Sequence, residues 1–136
     1  MSFAQESVKE LDQKFRREIK GRLARVQVGK RQTGISIYYH KSDQRLYSIQ
    51  QFEKSDSSST RETFQFAYIN DTLMRVYYFK LEPRLQKHVV AVKYLVQGTT
   101  VALDIKGDLP IPDNATFIEK SLKYRDVGNE IIVSKR

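Results

Sequence analysis

The sequence predicts a small single-domain α+β protein, in which helices are set apart from one antiparallel sheet. The chain has 136 residues, the length of one domain. Apolar residues recur every three to four positions near the start of the chain and every two positions from Ile35 onward. Short turns separate the period-two segments, which favours antiparallel pairing of consecutive strands. The class is therefore α+β rather than α/β.

An amphipathic helix is predicted from about Ser7 to Arg25. Its apolar residues recur at spacings of three, four and seven, and they are Val8, Leu11, Phe15, Ile19 and Val26. Ser7 and Glu10 have the spacing of a capping box. Gly21 conflicts with this prediction because glycine lowers helix propensity, and Arg22 falls within the apolar stripe. Either the helix ends near Gly21, or Arg22 extends past its neighbours to solvent.

Six strands are predicted after the helix from their alternation and their β-branched and aromatic content. Their ranges are 35–40, 46–52, 63–69, 72–80, 87–96 and 99–105. Asn70-Asp71 and Gln97-Gly98 are two-residue turns of the kind that joins hairpins. A polar, serine-rich loop is expected over residues 54–60. The strands would form a meander in which each strand pairs with the next.

A short second helix is predicted to begin at Asp113 or Thr116 and to end near Arg125. Gly128 would follow its end, and residues 130–134 would add a last short strand. The predicted order is then a long helix, a six-stranded meander, a short helix and a tail. This order is similar to the layout of cystatin-like and NTF2-like folds, in which a long helix crosses a curved antiparallel sheet.

Both faces of the middle strands carry apolar residues, whereas a sheet covered on one side alternates apolar with polar residues. On the strand 72–80, Met74, Val76 and Tyr78 fall on one face, while Leu73, Tyr77 and Phe79 fall on the other with Arg75. The strand 87–96 has the same character. The second face therefore needs a cover. The C-terminal helix, a second copy of the chain in a homodimer, or a small ligand in a pocket would each provide one.

Several kinds of chemistry find no support in the sequence. The chain has no cysteine, which excludes thiolate metal sites, disulfides and cysteine nucleophiles. It has no phosphate-binding glycine loop, nucleophile elbow or HExxH pattern. His40 and His88 lie on separate predicted strands, with no second ligand at metal spacing beside either. No catalytic residue, metal site or cofactor is predicted, and no apolar segment is long enough to cross a membrane.

Positive charge is concentrated at the start of the chain. The net charge is +8, and the first 31 residues hold nine of the 24 basic residues but four of the 16 acidic ones. On a helical wheel, Lys9, Arg16, Arg17 and Lys20 fall on one flank of the helix, named here the basic flank. This flank is either an ordinary solvated surface or a site for an anionic partner. Phe15 is its one nearby aromatic residue and faces inward, which argues against base stacking there.

The sequence therefore predicts a binding or structural module without catalytic activity, which acts through the second sheet face, the basic flank or both. The predicted contact residues are Tyr38, Tyr77, Phe79, Arg16, Arg17 and Lys20. Two alternatives stay open. One is a small-ligand carrier or enzyme with a cavity between helix and sheet, and the other is a binder of nucleic acid or another polyanion.

The first residues bear on the compartment. Ser2-Phe3-Ala4 has the small-x-small spacing of a signal-peptidase site. On that basis a periplasmic or secreted location is predicted, and residues 1–6 are expected to be flexible. A cytoplasmic protein with an ordinary start is the alternative.

Overall fold

The computed structural model describes residues 8–17, 22–29, 34–55 and 59–135. These residues form two α-helices and a seven-stranded antiparallel sheet in which the strand order follows the chain. The helices are α1, Val8–Arg17, and α2, Asn114–Ser134. The strands are β1 Leu23–Val28, β2 Ile35–His40, β3 Leu46–Lys54, β4 Arg61–Ile69, β5 Thr72–Glu82, β6 Lys87–Val96 and β7 Thr99–Gly107. The predicted α+β class and antiparallel meander are confirmed.

The two predicted hairpin turns are also confirmed. Asn70 and Asp71 have φ of 50° and 62°, and Gln97 and Gly98 have φ of 50° and 79°. Positive φ at both central residues is the geometry of a type I′ turn, whose twist matches that of the flanking strands. These turns fix the registers of the β4–β5 and β6–β7 hairpins next to the turn, and a β-bulge shifts each register farther along.

The prediction of one long N-terminal helix reaching Arg25 is wrong. The helix α1 has 10 residues, and β1 begins at Leu23 and pairs with β2. Pairing with a neighbouring strand overrides the weak helical pattern of this segment, since propensity differences between residues are small. Ser7 and Lys20, which the predicted helix includes, lie outside the described residues.

The long helix is the C-terminal one, so the predicted end near Arg125 and the short strand over 130–134 are also wrong. The N-cap is Asp113, whose carboxylate accepts a hydrogen bond of 2.8 Å from the Thr116 backbone N–H. Gly128 lies inside α2 and does not end it. A Cβ at Gly128 would lie 2.7 Å from Cδ1 of Ile49, so glycine here permits close packing of the helix on β3.

The main core lies between α2 and one side of the sheet. The Phe117 ring centroid is 6.1 Å from that of Phe64 and 5.9 Å from that of Tyr78. The buried Tyr68 hydroxyl donates a hydrogen bond of 2.6 Å to the Ser121 backbone oxygen. Burial raises the pKa of that hydroxyl. The aromatic residues therefore fill the space beneath α2 and fix its position on the sheet.

Three β-bulges lie where α1 packs on the other side of the sheet. Tyr47, Met74 and Val101 are each an extra residue between two register pairs, on β3, β5 and β7. All three pack against the cluster that contains the buried Phe15 of α1. A bulge bends its strand and redirects side chains. Together the bulges supply apolar side chains at the place where α1 packs.

The bulge on β5 corrects one detail of the predicted faces. Met74 lies on the α1 side of the sheet and Leu73 packs into the α2-side core, the reverse of the prediction. Strict alternation cannot reveal an inserted residue. Beyond the bulge, Val76 and Tyr78 share one face as predicted, and that face is the one that α2 covers.

Candidate binding face

The sheet side opposite α2 is covered in part. The helix α1 packs on this side chiefly against β6 and β7. The rest of the side carries four partly exposed aromatic residues, Tyr38, Phe52, Tyr77 and Phe79. This surface is named here the aromatic face.

Strand register places amides beside these aromatic rings. Gln65 on β4 lies directly opposite Gln50 on β3 and Tyr77 on β5. Residues directly opposite each other in an antiparallel pair share a face, with Cβ atoms about 5 Å apart. Phe79 follows two residues after Tyr77, so the two rings are rooted about 7 Å apart along β5. The centre of the aromatic face is thus a patch of two rings and two partly exposed amides.

Tyr38 extends the aromatic face towards β1. It lies on β2, three strands from β5, which corresponds to about 14 Å across the sheet. The guanidinium carbon of Arg25 is 5.9 Å from the centroid of the Tyr38 ring. The Arg25 Nη2 donates hydrogen bonds of 3.3 Å to Ser36 Oγ and to Gln27 Oε1, both of which are neutral. The β1 margin of the face therefore carries a cation.

Acidic strand residues are concentrated on the α2 side of the sheet, whereas basic strand residues lie on both sides, with Lys80, Lys87 and Lys93 on the α2 side. The basic strand residues on the aromatic side are Arg25, Lys54, Arg61, Arg75 and Lys106. Asp104 is the one acidic residue on that side among the described strands. Glu53, Glu62 and Glu82 lie on the α2 side, where the Tyr78 hydroxyl donates a hydrogen bond of 2.5 Å to Glu62. The aromatic side therefore has a positive potential.

Arg75 is the member of this set that holds α1 in place. Its Nη1 donates a hydrogen bond of 3.1 Å to Oδ1 of Asp12, and the Tyr94 hydroxyl donates to the same oxygen. The guanidinium also lies 5.0 Å from the centroid of the Phe15 ring. Burial alone would lower the pKa of Arg75, but its interactions with Tyr94 and Asp12 outweigh burial and raise the pKa. Arg75 therefore serves the packing of α1.

The sequence-predicted contact residues fall in two places. Tyr77 and Phe79 are neighbours at the centre of the aromatic face, with Tyr38 near its margin. Arg16 and Arg17 are exposed on α1, and Lys20 lies outside the described residues. The residues missed from sequence are Arg25, Gln50, Phe52 and Gln65. The turn at Asn70-Asp71 would by itself align Gln65 with Val76, and the bulge at Met74 shifts the pairing to Tyr77. Neither that bulge nor the β1–β2 pairing has a local signal in the sequence.

His40 ends β2 at one margin of this side. It is 8% exposed, and its ring centroid is 5.8 Å from that of Tyr47. Burial lowers the pKa of His40, and the nearby Arg45 lowers it further, while Asp43 acts in the opposite direction. The neutral imidazole is therefore the form that fits the folded protein.

Stability should fall when His40 takes up a proton. Because the folded pKa of His40 lies below 6.5, its contribution is present above pH 6.5 and is lost as the pH falls through the folded pKa. We expect the free energy of unfolding to drop less between about pH 7.5 and about pH 5.5 in His40→Gln than in the native protein. Urea unfolding at the two pH values measures this. His88→Gln, at an exposed histidine on β6, is the control. The same slope in all three proteins would contradict the prediction.

A groove of about 360 Å³ lies between the first half of α2 and the turns at Asn70-Asp71 and Gln97-Gly98. Its apolar lining comes from Leu73, Leu95, Ile118 and Leu122, and its polar rim includes Arg125. The small-ligand alternative predicted a cavity between helix and sheet, but aromatic side chains fill the space beneath α2.

The described residues hold no group of three or more His, Asp or Glu side chains that could bind a metal ion. None of the helices in the described ranges is long and apolar enough to cross a membrane. Comparison with models of protein families, with curated proteins and with solved structures found no match. Any statement about function therefore rests on the surfaces themselves.

Proposed function

We propose that the protein is a non-catalytic binding module whose aromatic face binds single-stranded nucleic acid. The observation that carries the proposal is the pair of partly exposed rings, Tyr77 and Phe79, at the centre of the cationic side of the sheet. This ligand class combines planar rings with regularly spaced negative charge, and the face offers a counterpart to both.

The rings supply the first half of the match. Bases of single-stranded nucleic acid stack on aromatic side chains that project from a sheet, and each stacked base contributes about 1–3 kcal/mol. Tyr77 and Phe79 project from one strand at a spacing that accepts two bases. Gln50 and Gln65 lie beside them and offer both hydrogen-bond donors and acceptors to base edges.

The cations supply the second half. Arg25 lies at the β1 margin of the face, and Lys54 and Arg61 lie opposite each other at the ends of β3 and β4. Arg16 and Arg17 add exposed positive charge on α1. Phosphate groups of a bound strand would contact such residues, which makes affinity depend on salt concentration.

The same charges argue against the other partner predicted for this face, a second copy of the chain. Two aromatic faces packed against each other would bring two sets of cations together with a single carboxylate from each described sheet. Like charges in close contact cost free energy unless they are paired. An anionic ligand has the complementary charge.

Loss of either central ring should weaken binding by about tenfold. Tyr77→Leu and Phe79→Leu keep an apolar side chain in the sheet but remove the stacking surface. Tyr39→Leu is the matched control, since Tyr39 packs against the core on the α2 side of the same sheet. Fluorescence anisotropy with labelled oligouridylate and oligothymidylate at low salt measures the dissociation constants. Equal affinities in all four proteins would contradict the role of the rings.

Charge reversal on the face should act separately from ring removal. Arg25→Glu with Arg61→Glu should weaken binding and lower the slope of log K against log salt by about two. Lys123→Glu with Lys135→Glu, at exposed positions in the middle of α2 and just beyond its C-terminal end, makes the same change in net charge and should have less effect. The nucleic-acid proposal would be overturned if the protein bound heparin with the same affinity as the oligonucleotide and Tyr77→Leu left the affinity for heparin and for the oligonucleotide unchanged. That result would indicate a binder of polyanions in general.

A nucleic-acid ligand also bears on the compartment. It fits the cytoplasmic alternative better than the periplasmic or secreted location that the first residues suggest. Fractionation of cells that express the full chain would distinguish the two locations.

A further inference from the structure

The strand β7 forms one edge of the sheet. It pairs with β6 on one side, and no described strand pairs with its other side. An edge strand presents unpaired backbone N–H and C=O groups that can pair with a strand of another chain. At nine residues β7 is also the longer edge, since β1 at the opposite edge has six.

The α2 side of β7 is apolar as well as exposed. Leu103 is 48% exposed and Ile105 is 45% exposed. In register they lie opposite Lys93 and Ala91 of β6, both of which are buried on the α2 side. Two exposed apolar side chains on a long unpaired edge are a feature that natural sheets usually avoid. A partner strand would cover both.

The charges on the other side of β7 identify that partner. Asp104 and Lys106 flank Ile105 and both point to the aromatic side, where they lie opposite Val92 and Val90. We propose that two copies of the chain pair through β7 in antiparallel register, with a two-fold axis at Ile105. The axis places Asp104 of each copy opposite Lys106 of the other, which forms two opposite-charge pairs across the new strand pair.

The same charges favour an axis at Ile105 over an axis at Leu103, Asp104 or Lys106. An axis at Asp104 or at Lys106 would place that residue opposite its own copy, so like charges would meet. An axis at Leu103 would place Asp104 opposite Ala102 and Lys106 opposite Thr100, without an ion pair.

The dimer would join two sheets edge to edge. The axis stands perpendicular to the sheet, so both aromatic faces lie on one side of the dimer and both α2 helices on the other. The inference rests on the edge strand and its charges, and it does not depend on the ligand proposed for the aromatic face.

Charge exchange at the edge tests the dimer. Sedimentation equilibrium of the full chain over a series of concentrations, without oligonucleotide, should show a monomer–dimer equilibrium. Asp104→Lys places lysine opposite Lys106 twice and should raise the dissociation constant about tenfold or more. Asp104→Lys with Lys106→Asp exchanges the charges and should restore dissociation to within about threefold of the native value. Asp126→Lys, at an exposed position of α2, makes the same change in net charge and should leave the equilibrium unchanged.

Three results would overturn the inference. The native chain could stay monomeric at every concentration. Asp104→Lys could leave the dimer as stable as Asp126→Lys does, which would place the interface elsewhere. The charge exchange could fail to restore association although its melting temperature equals that of the native chain. None of these results bears on oligonucleotide binding by Tyr77 and Phe79, so the two proposals fail separately.

Discussion

Gly128→Leu should lower the free energy of unfolding by about 3 kcal/mol. Glycine inside an exposed helix costs stability relative to other residues, so substitution at most helix positions would stabilise. Here the added side chain would meet Ile49, whose Cδ1 lies 2.7 Å from the position of a Cβ, and Leu46, whose Cδ1 lies at 3.3 Å. Both are fully or almost fully buried, so they cannot move aside without displacing α2. Urea unfolding followed by circular dichroism measures the loss.

Removal of the blocking side chain should recover part of that loss. Ile49→Ala alone leaves a cavity and should cost about 2–5 kcal/mol. In the double variant the leucine occupies that space, so the combined loss should be clearly smaller than the sum of the two single losses. Lys123→Leu, at an exposed position of the same helix, is the control and should cost less than about 0.5 kcal/mol. Additive losses would mean that Gly128 is not required for the close approach.

The strands could be predicted from sequence because their signals are local. Alternation, β-branched content and the turns at Asn70-Asp71 and Gln97-Gly98 each act over a few residues, and six of the seven strands follow from them. The helices could not be predicted as well, because tertiary contacts set their limits. By local rules, glycine at position 128 is expected to end the helix. In the structure α2 continues through Gly128, where the absence of a side chain allows the helix to pack closely on Ile49.

The candidate site was predictable in part for the same reason. The grouping of Tyr77 with Phe79 follows from alternation along one strand, and the structure places them together. The position of Gln65 beside Tyr77 depends on the register between β4 and β5. The position of Arg25 at the margin of the face depends on β1, a segment that the sequence predicts as helix. The segregation of acidic residues to the α2 side is likewise a property of the whole sheet. Single-strand patterns therefore indicate the rings, while the charge of the face appears once all strands are aligned.

Phe117→Ala should have the largest effect of any single truncation at the start of α2, about 3–5 kcal/mol. The side chain is 1% exposed and lies between Phe64 and Tyr78. It also lies 5.2 Å from the ammonium nitrogen of Lys93, a buried residue whose pKa burial lowers. The variant would leave that ammonium beside a cavity, with its hydrogen bond of 2.6 Å to Asn114 and its attraction to the Asp113 carboxylate as the interactions that remain among those described. Phe117→Leu, which fills most of the space, should cost about half as much.

Phe15→Ala provides the comparison on the other side of the sheet. Phe15 is 4% exposed and has the same side chain and nearly the same burial as Phe117. The free energy of moving the ring from water into the core would therefore predict a similar loss of stability on truncation to alanine. However, α1 has 10 residues and packs chiefly on the last two strands, so it can detach while the α2-side core stays intact. The loss at Phe15 is therefore limited to the free energy with which α1 docks, whereas the loss at Phe117 falls on the whole fold. Global unfolding in urea should show a smaller loss for Phe15→Ala, and hydrogen exchange should show early opening confined to residues 8–17. Equal losses with uniform exchange would mean that α1 and the sheet unfold as one unit.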